Sequence, residues 1–114
     1  MTGYVAVTNG VGNEASLTDA IANIGPMSVA IYASNNFQLY SSGVFTDTSC
    51  PAGKVNHAVN VVGYGTSNGQ DYYILRNSWG TSWGDKGYML YRRNSNNQCA
   101  IASYASYPLV KATA

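Results

Sequence analysis

Only one stretch of this chain carries the hydrophobic period of a helix, and it stops abruptly. Leu17, Ala20, Ile21 and Ile24 recur at i, i+3, i+4 and i+7, and Asn13 stands where a side chain caps the first free amides. Gly25 then supplies a residue tolerant of positive φ, and Pro26 forbids continuation. The remainder is cut into short pieces by Gly, Asn and Ser. Residues 28–32, 58–64, 72–76 and 88–92 are rich in β-branched and aromatic types and read as strands. Asn68-Gly69 signals a tight hairpin turn between the second and third of them. Gly63-x-Gly65 reads as a bend at a strand end, since no Lys-Ser/Thr and no helix follow to make a phosphate loop. A polar turn at 94–98 leads into further strands at 99–103 and around Ser106-Tyr107-Pro108. One short helix followed by many antiparallel strands predicts a single α+β domain over residues 1–114, with a mostly antiparallel, barrel-like sheet.

Composition narrows the function classes. The 114 residues are 46% hydrophobic, enough for a core, and only 10% charged with a formal net charge of +1. Such a balance gives no electrostatic reason to expect nucleic-acid or membrane-surface partners. No apolar run approaches the roughly 18 residues needed to cross a bilayer, and the first residues lack the basic and apolar regions of a secretory signal. One histidine and two cysteines fall short of the usual four-ligand zinc site, so neither metal nor cofactor is expected. Cys50 and Cys99 are either a disulfide, which fits an oxidising compartment, or two separate buried thiols.

His57 is the chain's lone histidine, at the start of a strand in Val55-Asn56-His57-Ala58-Val59. Asn77-Ser78-Trp79-Gly80 follows twenty residues on, and then Trp83-Gly84. A histidine acts as general base or as cationic partner of a thiolate. An asparagine oxygen on its far ring nitrogen would fix tautomer and ring plane without adding charge. A neighbouring tryptophan would keep water off that bond.

The run Asn56-His57-Ala58-Val59, Val62-Gly63-Tyr64-Gly65, Tyr72-Tyr73-Ile74-Leu75-Arg76-Asn77-Ser78-Trp79-Gly80, Trp83-Gly84 and Gly87-Tyr88 resembles the C-terminal half of papain-like cysteine proteases, in particular their cathepsin L/K/S branch. Gly25-Pro26-Met27-Ser28-Val29-Ala30-Ile31 and Cys99-Ala100-Ile101-Ala102 with Ser106-Tyr107-Pro108 extend the resemblance from about Thr8 to Pro108. In that family a helical N-terminal half brings the nucleophilic cysteine and an oxyanion-hole glutamine, and a β-rich C-terminal half brings histidine and asparagine. The resemblance implies that His57 is the catalytic histidine, Asn77 its orienting asparagine, Trp79 the shield over their bond and Trp83 a wall of the cleft. It also implies a Cys50–Cys99 disulfide and a lysosomal or secreted setting. Ala30, Val55, Ala58 and, at the floor, Tyr104 match the pocket for the second residue before the scissile bond. Small apolar walls favour a hydrophobic side chain at ~0.8 kcal/mol per buried methylene, and Tyr104 should shorten the pocket. Ala100 stands where glycine is usual.

No Gln-x-x-x-x-x-Cys-x-x-Cys-Trp stretch occurs in the sequence, so the nucleophile is expected from a complementary N-terminal half, with peptide or protein as substrate. Alone, the chain is expected to be inert. Two rival readings remain at this point. One is a relative of the silicateins, non-proteolytic proteins that carry serine at the nucleophile position. The other is a binding module that associates with a protease half, or with itself, through an exposed inter-domain face.

Overall fold

A computed structural model describes residues 3–8, 13–47, 50, 54–94 and 97–109. Seven strands form one sheet: β1 (Gly3–Ala6), β2 (Met27–Ile31), β3 (Val44–Phe45), β4 (His57–Ser67), β5 (Gln70–Arg76), β6 (Tyr88–Arg92) and β7 (Ala105–Leu109), in the order β1-β7-β2-β4-β5-β6-β3. Every ladder is antiparallel except β3 with β6. The helix expected from the sequence is α1 (Glu14–Asn23), and the Asn13 side chain accepts from Ser16 N at 3.0 Å as the cap. Leu17, Ala20 and Ile21 are buried, whereas Ile24 lies just past the last turn and is exposed. A second, one-turn helix, α2 (Asn35–Gln38), has no counterpart in the sequence reading.

The β4–β5 hairpin carries the site, and its turn is dictated by two residues. Asn68 and Gly69 have φ of 52° and 77°, the paired positive values that match a tight turn to the strands' twist. Contrary to the expected strand-end bend, β4 runs on through Gly63 and Gly65 to Ser67. The irregularity is internal: pairing shifts between Val61 and Gly63, leaving Val62 as an extra residue. The Tyr72 ring lies across Gly65, and a Cβ there would come within 2.7 Å of the phenol oxygen, so a larger residue would have to push that side chain aside.

The inner face of the sheet gathers Met27, Val29, Ile31, Val59, Val61, Leu75 and Met89 under Leu17 of α1. Tyr73 and Tyr91 are wholly buried with their hydroxyls used, donating to Glu14 Oε1 at 2.9 Å and to the Gln98 carbonyl respectively. Burial pushes both phenols well above the usual tyrosine range, so each stays a donor at neutral pH.

Cys50 and Cys99 are joined, which settles the choice between a disulfide and two thiols. Residues 99–103 are not the expected strand. A 3₁₀ turn (Gln98–Ala100) leads into further turns because Asn97, Cys99 and Ala100 all adopt positive φ, at 57°, 50° and 67°. The Asn97 side chain locks the segment, accepting from Ala102 N at 2.7 Å and donating to Ser103 Oγ at 2.9 Å. The unusual Ala100 thus occupies a backbone region in which a Cβ costs about 1 kcal/mol or more. Ala100→Gly is expected to raise stability by about 0.5–1 kcal/mol in urea unfolding, the relief exceeding the extra chain entropy of glycine. Equal or lower stability would remove the claim of strain.

Candidate active site

His57 opens β4 and Asn77 follows the last residue of β5, so the antiparallel pairing of these strands brings two positions twenty residues apart to the same end of the sheet. His57 Nε2 lies 2.8 Å from Asn77 Oδ1. The same oxygen accepts from the backbone N–H of Ser78 at 2.8 Å. That second contact fixes the amide's orientation: a peptide N–H only donates, so the atom it meets must be the carbonyl oxygen. It follows that His57 donates from Nε2, and its Nδ1 is the ring atom left to exchange a proton. Asn77 is buried and His57 is half-buried, so the bond sits at the boundary between protein and solvent.

Trp79 covers the imidazole. Their rings stack with centroids 4.7 Å apart and an interplanar angle of 26°, while Trp79 as a whole remains 39% exposed. Trp83 stands behind it, buried and edge-on to Trp79 at 5.6 Å. Gly80, between the two tryptophans, has φ of 87° and Gly84, after the second, 60°.

The expected pocket residues are partly gathered. Ala30 and Ala58 face each other across the β2–β4 ladder, and Ala30 N donates to the Tyr104 carbonyl at 3.3 Å. Tyr104 and Val55 are exposed, Val55 two residues ahead of His57. Ala58 and Asn77 also line a hollow of about 330 Å³ with Ser28, Asn60, Arg76 and Ser78, on the sheet face turned away from the core. A second, more polar hollow includes Ser34, Asn36, Gln38 and Asn56. Asn56 ties two parts of its lining together, its Oδ1 accepting from Ala33 N at 2.7 Å. Among the described residues the grouping of metal-type donors is Asp47 with Cys50 and Cys99, and both sulfurs are held in the disulfide.

The family model described as papain family cysteine protease matches residues 1–109. The chain belongs to that family. Among its papain-family relatives, cathepsin K of Mus musculus is 56% identical over 99 residues, covering 86% of this chain and 30% of that protein. Cathepsin L1 of Drosophila melanogaster is 52% identical over 101 residues, covering 87% of this chain and 27% of that protein. The chain therefore spans under a third of the length of these relatives. Digestive procathepsin L 3 of the Tenebrio molitor larval midgut superposes with a TM-score of 0.89 at 50% identity, covering 95% of this chain and 35% of that one. Bromelain of Ananas comosus, in complex with the E64 inhibitor, gives 0.84 at 41% identity, covering 97% and 51%. The papain-family β domain is thus the fold of this chain, in agreement with the α+β reading.

Sequence reasoning missed Phe37. It is wholly buried in α2 and its ring meets His57, Trp79 and Trp83 with centroids 6.1, 5.6 and 5.1 Å away. The available signal was Ser34 three residues ahead of it, a capping residue whose side chain accepts from Phe37 N at 3.2 Å.

Proposed function

We propose that this chain is the histidine- and asparagine-bearing C-terminal portion of a papain-family cysteine endopeptidase. The observation that carries the reading is the Nε2–H to Asn77 Oδ1 bond at 2.8 Å beneath the stacked Trp79. With Nε2 so engaged, Nδ1 of His57 is the atom that would pair with a thiolate supplied by the N-terminal half. The thiolate sulfur attacks the peptide carbonyl carbon, and the imidazolium gives its Nδ1 proton to the leaving amine nitrogen as the C–N bond breaks. A water molecule then gives one proton to the same nitrogen as its oxygen attacks the acyl carbon. The C–S bond breaks, the sulfur leaves as the thiolate beside the imidazolium, and the released acid loses its remaining proton to solvent as a carboxylate. Asn77 keeps the ring plane aligned through both steps, and Trp79 and Trp83 form the aromatic wall that keeps water off the supporting bond.

Ala30, Val55, Ala58 and Tyr104 are assigned to the pocket for the second residue before the scissile bond. Their character favours a hydrophobic side chain of moderate length. The Cys50–Cys99 disulfide supports a lysosomal or secreted setting. Because both cysteines are tied in that disulfide, the chain offers no thiol of its own. Purified alone, it should release no fluorophore from dipeptidyl fluorogenic substrates, and adding a Cys-bearing N-terminal half should restore hydrolysis. Turnover that persists through purification without the added half would overturn the assignment.

A further inference from the structure

Phe37 stands where four aromatic rings converge, and its own place is set by a polar pair remote from the imidazole. It packs edge-on to His57 (69°) and to Trp79 (83°), lies nearly parallel to Trp83 (30°), and meets Phe45 edge-on at 5.8 Å. Edge-to-face and offset contacts at these separations favour one mutual orientation over others. A swing of the imidazole or of Trp79 toward Phe37 is therefore blocked by a ring with no exposed surface.

What holds Phe37 is not its helix. The four residues of α2 make too little helix to persist by themselves. Ser34 caps the turn and is itself buried. Its hydroxyl proton goes to Asp47 Oδ2, which leaves an oxygen lone pair for the Phe37 amide. Asp47 is also buried, and its bond with Ser34 fixes the direction of the serine hydroxyl. The path runs from Asp47 to Ser34, to Phe37, and from there to the stacked pair.

We propose that Phe37, held by the Ser34–Asp47 hydrogen bond, is the positioning residue that sets the stacking of His57 on Trp79. The proposal rests on the reading of His57 as the catalytic histidine, but its test does not depend on activity. With one histidine in 114 residues, the imidazole resonances of the whole chain are assigned without ambiguity. The readouts are the exchange rate of the His57 Nε2 proton with water, normalised to the Val61 amide, and the nuclear Overhauser effect between the imidazole and the Trp79 indole. Phe37→Leu should speed that exchange about tenfold and weaken the ring-to-ring effect. Ser34→Ala should do the same by about fivefold, and Ser34→Thr, which keeps the hydroxyl, should restore the parental rate. A purely structural role would lower the melting temperature and leave the normalised exchange unchanged; that result in Ser34→Ala overturns the proposal. If Phe37→Leu does not fold, the Ser34→Ala and Ser34→Thr pair decides alone. Failure of the catalytic reading shows separately, as hydrolysis by the reassembled enzyme that survives His57→Ala.

Discussion

In an enzyme reassembled from this chain and a Cys-bearing N-terminal half, His57→Ala should lower kcat/KM by about 10³-fold or more, and Asn77→Ala by about 10- to 100-fold. The inequality follows from the geometry. On the assignment proposed above, removing His57 would take away both the cation that stabilises the thiolate and the proton for the leaving amine. Removing Asn77 leaves the imidazole in place, still stacked on Trp79 at 4.7 Å, and deletes only the oxygen that fixes its tautomer. The loss at Asn77 should fall mainly on kcat, because its carboxamide oxygen bonds the imidazole. Stopped assays on both variants with one fluorogenic substrate check this. A fall at His57→Ala of less than tenfold, with the nucleophile confirmed by titration, would exclude His57 as the acid and base.

Glu14→Ala should be the most damaging single change to stability outside the apolar core. One carboxylate oxygen accepts from Tyr73 Oη at 2.9 Å and Asn94 N at 2.8 Å, and the other from Asn97 N at 2.9 Å. These partners lie 59, 80 and 83 residues along the chain, so a single side chain in the first turn of α1 ties the helix to β5 and to the loop after β6. Hydrogen bonds to a charged acceptor contribute about 1.5–3 kcal/mol each and are not additive, which gives a loss of about 3 kcal/mol for the set. For a domain near 100 residues that lowers Tm by roughly 15 °C. Glu14→Gln, which keeps one acceptor oxygen and loses the charge, should fall about halfway. Thermal unfolding followed by circular dichroism reads both; a Glu14→Ala melt within 3 °C of the parent would show that the loop is held by other contacts.

Local chemistry made some elements legible. The Asn13 cap, the apolar face of α1 and the Asn68-Gly69 turn each depend on residues within a few positions of one another, and β6 needed no more than its own run of β-formers. The His57–Asn77 pair was legible through the family resemblance, and the local hairpin that joins the two strands is what brings the positions together. What escaped notice is held by distant partners. β3 is two residues long and exists through a parallel ladder to β6, and β1 forms on β7 at the far end of the chain. α2 depends on Ser34 reaching Asp47, and Phe37 entered the site only with it. The segment 99–103 looked like a strand by composition, but the side chain of Asn97 and three positive φ values turned it into a tight coil.

The covalent tie between Cys50 and Cys99 encloses β4, β5 and β6, and with them His57, Asn77 and both tryptophans. A protease nick anywhere inside that ring would therefore split the polypeptide without releasing a piece. The clipped form would migrate as one band on a non-reducing gel and as two after reduction, still carrying its histidine and asparagine on a single covalent body.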